Sequence, residues 1–306
     1  MIKEQLLSKN GTATMKLSRE LLKYSIGERI PTISEFVENI HLARGTIQNA
    51  LRNLVDSKAI AFESKGHMGS YIIKKNNSVL LEFAGIGNVV GAMPLPYSKR
   101  YEGLASGIII SAENQNKMPI NLAYMRGAKN RIMMVEKGRY DFAIVSRYAA
   151  EKYISDNDSM EIIISFGEDS YTGKHVIMFH SNKTKEIQNG MRVGIDEDSY
   201  DQMFLTKNVC KGKKVEYVPI DYSRTIELIK NGDIDATIMN IDEVIDKKQN
   251  INCVDIKGYN KKNTEAVIVV NKGNEGLKSV LCEAIDKKTV LNIQKLVLED
   301  KIIPRY

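Results

Sequence analysis

At 306 residues the chain is longer than a usual single core, so two or three domains are expected, and its 43% of hydrophobic residues is enough to fill them. The net charge of +6 is unevenly spread: residues 1–78 hold 12 Lys+Arg against 7 Asp+Glu, leaving 32 against 31 for the remainder. Such an excess is what a polyanionic partner selects, although it also serves as ordinary solubilising surface. In chain order, the opening MIKEQLLSKNGTATMKLSRE has no apolar leader segment, and no run of 18 apolar residues follows anywhere, so neither a signal peptide nor a transmembrane helix is expected and the reading is cytoplasmic.

Residues 27–40, GERIPTISEFVENI, place Thr32 three residues before Glu35, directly after Pro31. That is a capping box, and it starts a short helix with Ile33, Phe36 and Val37 turned inward. After a tight turn comes HLARGTIQNALRNL, residues 41–54. Ile47, Ala50, Leu51 and Leu54 fall at helical spacing on one face, while Arg44, Gln48, Asn49 and Arg52 occupy the other. Long hydrogen-bonding side chains with no carboxylate before Asp56 fit the reading of base edges, or a plain solvated face. Two β-prone runs, Ile60–Glu63 and Tyr71–Ile73, flank a Gly-containing loop and form a hairpin. Helix, turn, helix and hairpin make a winged helix-turn-helix over residues 1–75.

The run from Arg29 to Ile73 resembles the DNA-binding domain of GntR-type bacterial regulators, in its Pro31-Thr32, Thr46-Ile47, Ala50-Leu51, Leu54 and Gly66-His67-Met68-Gly69. It departs where the recognition helix begins, with Ala43 in place of a serine cap and Gly45 in the first turn. The resemblance implies that Arg44, Thr46, Gln48, Asn49 and Arg52 face the groove of double-stranded DNA and that Lys65 and His67 on the wing approach its backbone or minor groove.

A polar stretch at 74–78, KKNNS, reads as a linker to a second domain over 79–306. From there VLLEF, INLAY, DFAIVS, EIIIS and HVIMF alternate with helix-length segments, the rhythm of an α/β domain with a mostly parallel sheet. MVEKGRYDFAIVS at 134–146 and LIKNGDIDATIMN at 228–240 repeat one grammar: a helix end, Gly138 or Gly232 as its left-handed stop, then Asp141 or Asp235 leading an apolar strand. One copy in each half points to two similar lobes, about 79–172 with 266–306 and about 175–263, joined by strands near Lys174–His180 and Glu265–Val270. This is the plan of the type 2 periplasmic-binding-protein fold. GAMPLPYSKRYEGLASG, YMRGAKNR, YDFAIVSRYAAE and NTEAVIV are in addition similar to the C-terminal domain of the YhfZ-type regulators. That resemblance implies a ligand-responsive transcriptional regulator, a dimer on a pseudo-palindromic operator, with repression relieved by ligand.

In open α/β sheets ligands lie beyond the carboxyl ends of strands. VLLEF is read as a strand, followed by Met93, Pro96 and Tyr97 at a helix start whose N–H groups would hold an anion. The other strand ends offer Arg126, Ser146 and Arg147 in one lobe and Ser199, Asp201, Tyr222 and Asn240 in the other. Two arginines fit a small carboxylate or phosphate effector, unless they serve as interlobe salt bridges or as plain surface residues.

Several patterns carry less. Gly85, Gly87 and Gly91 imitate a dinucleotide fingerprint, but Pro94 and Pro96 interrupt the helix it needs, so no cofactor is expected. His175 and His180 are five apart on one strand and so face opposite ways, which opposes a shared metal. Asp196, Glu197, Asp198 and Asp201 lack calcium-loop spacing and read as an acidic helix start. Cys210, Cys253 and Cys282 form neither a disulfide framework nor a C-x-x-C pair. No catalytic constellation stands out, so the chain reads as a non-enzyme. An enzyme with a nucleotide cofactor or an anionic substrate is the alternative, and a transporter's solute-binding protein is opposed by the missing export signal.

Overall fold

The computed structural model describes residues 8–116, 119–248, 250–258 and 261–306. The chain divides into two compact units: residues up to Val89 together with Ile109–Asn121 and Gly273–Asp286, and the combination of Val90–Ile108, Leu122–Lys272 and Lys287–Tyr306.

The first unit opens with a helix that the sequence reading did not single out, Lys9–Leu21, capped by the Ser8 side chain and burying Ala13, Leu17 and Leu21. It packs on the Arg44–Asp56 helix. Between them the Ile33–Ile40 helix starts at the expected capping box: Thr32 Oγ1 accepts from Glu35 N at 3.3 Å, and Thr32 N donates to Glu35 Oε2 at 2.6 Å. Phe36 and Ile40 are buried, Ile33 and Val37 half-buried. The hairpin pairs β1, Ile60–Ser64, with β2, Ser70–Lys75, and Arg29 bridges to Tyr71 beside it.

Residues 74–78 are not a loop. Lys74 and Lys75 finish β2, and Asn76 caps a helix, Asn77–Phe83, its Oδ1 accepting from Val79 N at 3.3 Å. The run VLLEF is thus helical rather than a strand, because Asn76 nucleates it and Leu80 and Leu81 bury their side chains in this unit. The Lys75 ammonium, 2% exposed, donates to the carbonyls of Leu22 and Tyr24 and lies 3.6 Å from Glu283. Glu283 also accepts from Ser25 and Asn77. These bonds group the 273–286 segment with the helix-turn-helix, a division that differs from one at residues 75–79.

The second unit is built on two five-stranded sheets. The first contains β3 (Val89–Met93), β4 (Ile120–Tyr124), β5 (Phe142–Ser146), β6 (Met160–Gly167) and β12 (Ala266–Asn271), in the order β4-β3-β5-β12-β6. The second contains β7 (His175–Phe179), β8 (Arg192–Ile195), β9 (Glu216–Pro219), β10 (Ala236–Asn240) and β11 (Asn252–Asp255), in the order β11-β7-β10-β8-β9. In each sheet the central strand, β5 or β10, runs parallel to one neighbour and antiparallel to the other. The antiparallel neighbours, β12 and β7, are the strands expected at the hinge. They lie within their sheets, and the chain passes from one sheet to the other after β6 and returns after β11.

The internal repeat is structural. Gly138 and Gly232 both adopt left-handed backbone, φ 67° and 76°. Asp141 Oδ2 accepts from Val90 N and Asp235 Oδ2 from Arg192 N, each at 2.8 Å, fastening the central strand to the start of its parallel neighbour. The glycine-rich segment 84–91 has a packing role at one position: a Cβ on Gly91 would stand 2.2 Å from the Phe142 ring. The segment from Pro94 to Tyr97 precedes the next helix rather than opening it. Lys99–Asn116 starts after Ser98, whose hydroxyl accepts from Tyr101 N at 3.4 Å.

Candidate functional site

On the helix-turn-helix, the Arg44–Asp56 helix turns Ile47, Ala50 and Leu54 inward and leaves Arg44, Gln48, Asn49 and Arg52 exposed, with Thr46 half-buried. Its N-cap, Ala43, makes no side-chain hydrogen bond. Arg44 Nη1 reaches Ser34 Oγ at 3.4 Å, which ties the recognition face to the preceding helix. On the wing, Lys65 and His67 are exposed, and the Lys65 ammonium lies 4.9 Å from the centre of the Tyr71 ring. Lys65 also lies 3.9 Å from the exposed Glu63 carboxylate, so the helix face is free of carboxylates and the wing is not.

Within the second unit a cavity of about 80 Å³ lies between the strand ends of the two sheets. Tyr97, Tyr101, Tyr171 and Tyr222 supply aromatic wall; Asp196, Asp201 and Glu243 supply carboxylates; Arg126, Arg131 and His175 complete the titratable lining. Asp201 is 5% exposed and its oxygens are taken: Oδ2 accepts from Ser146 Oγ at 2.7 Å and Oδ1 from Asn263 Nδ2 at 2.5 Å. Burial nevertheless pushes its carboxyl up to about 6. Glu243, 1% exposed, is pushed up to about 7 by the same cause, against the opposing pull of Tyr222 and Lys247. Its Oε1 has no hydrogen-bond partner among the described residues. Burial also drives the His175 imidazole down to about 4, so it is neutral at physiological pH.

Arg131 is buried and fully engaged. It donates to the carbonyls of Ile144 and Met125 and to the Tyr171 hydroxyl. Arg126 is bound to the Asp221 carboxylate and lies 3.8 Å from Asp196. Around the cavity, Arg100 grips Asp242 through Nε at 2.8 Å and Nη2 at 3.3 Å. Lys99 N donates to Asp246 at 2.8 Å. The bonds of Arg126, Arg100 and Lys99, like Ser146 to Asp201, join one lobe to the other.

Of the residues expected at the ligand, Tyr97, Arg126, Ser199, Asp201 and Tyr222 line the cavity. Ser146 stands just behind it, holding Asp201 and capping the Arg147–Asp156 helix. Asn240 caps its own helix and accepts from Thr172 Oγ1 at 2.5 Å. Met93 is fully buried, and Pro96 is half-buried beside Tyr97. Arg147 is drawn away by Glu265, whose two oxygens it takes at 2.7 and 2.8 Å. Both arginines on which an anionic effector was expected are thus committed to carboxylates. Sequence reading did not single out Glu243, Arg131, Tyr101 or Tyr171. His175 and His180 part company: His175 lines the cavity, and His180 Nδ1 lies 2.7 Å from the Ile229 carbonyl.

The YhfZ C-terminal domain family matches residues 76–306, and a helix-turn-helix domain family matches residues 25–72. The chain belongs to the YhfZ family. It is 32% identical to YhfZ of Escherichia coli strain K12 over 305 residues, 98% of either protein. The crystal structure of YhfZ from Shigella flexneri superposes with a TM-score of 0.62 at 33% identity, covering 75% of this chain and 98% of that one. An amino acid ABC transporter substrate-binding protein, AbpA of Streptococcus pneumoniae, gives 0.53 at 15% identity, covering 71% and 95%. The architecture is accordingly a helix-turn-helix region followed by a two-sheet α/β domain of periplasmic-binding-protein type. Among the described residues no helix is long and apolar enough to cross a membrane.

Proposed function

We propose that this YhfZ relative is a DNA-binding transcriptional regulator, working in the cytoplasm as a homodimer, whose two-lobed domain senses a small molecule. The observation that carries the reading is the exposed Arg44, Gln48, Asn49 and Arg52 face of a helix-turn-helix in the same chain as a two-lobed unit with a cavity lined by polar and aromatic side chains. Ligand that binds the closed lobes better than the open ones shifts the population between them and so biases the DNA-binding form. The test is selection from random duplexes followed by titration at physiological salt. Arg44→Ala and Arg52→Ala each cost about 1–3 kcal/mol on the selected site and relax preference at one position. Lys65→Ala weakens all sequences alike and flattens the salt slope. Binding with no sequence preference sinks the proposal, and identical profiles for the three variants remove the assigned recognition face.

A further inference from the structure

The lining of the cavity is unbalanced in one respect: its arginines already face protein acceptors, while one of its buried carboxylate oxygens has no hydrogen-bond partner among the described residues. Arg131 donates to two carbonyls and a phenol, and Arg126 is paired to Asp221. Asp201 has both oxygens filled, and Asp196 Oδ1 accepts from Asp198 N at 3.0 Å. Glu243 Oε1 alone among these carboxylate oxygens is both buried and without a hydrogen-bond partner, while Oε2 of the same residue lies 3.6 Å from the Lys247 ammonium, and Glu243 lines the cavity. A buried acceptor left unmade carries the full cost of its desolvation, so the chemistry that fills this space is a donor. The wall around it is aromatic, and the faces of such rings favour a cation over an anion.

We propose that the cavity takes a small primary ammonium group, whose N–H bonds are donated to Glu243 Oε1 within the wall formed by Tyr97, Tyr101, Tyr171 and Tyr222. This rests on the sensor reading above and names its ligand class. The cavity volume of about 80 Å³ suits a small ligand. An arginine-bound carboxylate or phosphate would instead compete with acceptors the protein already supplies, two carbonyls and a phenol at Arg131 and the Asp221 carboxylate at Arg126.

The experiment is a melting scan of the full chain at pH 8 with millimolar methylammonium, ethanolamine, tetramethylammonium, acetate or phosphate at matched ionic strength. Methylammonium and ethanolamine are expected to raise the melting point by several degrees. Tetramethylammonium, which has no N–H, and the two anions are expected to leave it in place. Glu243→Gln is expected to abolish the amine response. If that variant fails to fold, the selectivity of the wild-type protein among the five probes decides alone. No shift with either primary amine, a shift with acetate or phosphate instead, or an undiminished amine response in Glu243→Gln would overturn the assignment. Titrating DNA in parallel separates the two readings. Amines that bind through Glu243 but leave DNA affinity unchanged uphold the ligand class and sink the sensor role. Phosphate or acetate that binds and changes DNA affinity does the reverse.

Discussion

Strand for strand, β3, β4, β5, β12 and β6 of the first lobe take the places that β8, β9, β10, β7 and β11 take in the second, and Asp141 and Asp235 fasten them in the same way. The side chains at the strand ends differ in sign. After β4 comes Arg126, and after β9, its counterpart, comes Asp221; these two bond to each other. The second residue of the helix following β3 is Arg100, which reaches Asp242 beyond β10. The second residue of the helix following β8 is Asp201, which receives Ser146 from the end of β5. A repeated backbone plan therefore yields complementary rather than identical faces. The comparison teaches that the fold sets where the contacts fall, and the residue types at those places decide whether the lobes attract.

The twin latches are not equal, and the largest effect is expected at the buried one. Asp201→Ala leaves Ser146 Oγ and Asn263 Nδ2 without their acceptor and should cost about 3 kcal/mol, whereas Arg100→Ala, at a partly exposed pair, should cost about 1–2. Denaturant titration of both variants checks the ranking, and equal losses would break the asymmetry claimed for the lobes.

Glu243 gives the next largest effect, through pH. Its unfolded value is 4.5 and its folded value about 7, so the folded protein keeps the proton longer. The stability this group supplies is complete below pH 4.5 and lost as pH rises through 7. Lys247, Tyr222 and Asp242 are the groups that act on it. Relative to wild type, Glu243→Gln should gain on the order of 3 kcal/mol between those limits. The opposing titration of His175 is common to both proteins and cancels in the difference. A pH-independent difference would place Glu243 outside the buried environment assigned to it.

Arg126→Ala should cost less than about 1 kcal/mol, since its side chain is one-third exposed and that of Asp221 is nearly half exposed. The difference from wild type should vanish at high salt, which repeated denaturant titrations measure. A loss that survives salt would mean that Asp196, and not Asp221, is its working partner.

The smallest effect sharpens the comparison most. Asp141 and Asp235 make the same backbone bond, yet burial raises the first carboxyl, while Arg192 lowers the second. Stability from Asp141 is therefore present in acid and lost as pH rises through its folded value. Stability from Asp235 is present above its unfolded value and lost on acidification. Against wild type, Asp141→Asn should improve with rising pH and Asp235→Asn should worsen, in melting curves taken across the carboxylate range. Parallel trends would show that the repeat is electrostatic as well as structural.

Much of this was legible in the sequence because it rests on local chemistry. Thr32 with Glu35, the uncapped Ala43, the inward Ile47, Ala50 and Leu54, and the Gly-x-x-Asp echo each depend on neighbours within one turn or one strand. VLLEF was misread since a five-residue apolar run has no period that separates strand from buried helix, and Asn76, the residue that decides it, looked like linker. The helix after Pro96 was begun too early because Pro suits a first turn, but Ser98 holds the cap. Glu243 escaped since an acid in the first turn of a helix ordinarily needs only the helix dipole to explain it. It shares the cavity wall with Tyr222 and, from the other lobe, with Tyr97 and Tyr101, and no local pattern reports that. Arg147 was drawn toward the ligand by its place after β5, whereas Glu265, far along the chain, holds it.

The exposed Arg126–Asp221 pair has one further consequence, for measurements made in salt. At physiological ionic strength charges are screened over roughly 8 Å, so added salt loosens this contact while it also weakens release-driven binding to phosphates. On the sensor reading proposed above, both processes enter one titration. Counterion release alone gives a straight line of log affinity against log salt. An electrostatic clasp that opens over the same range bends that line, so curvature would carry information about the sensor within an experiment designed to study DNA.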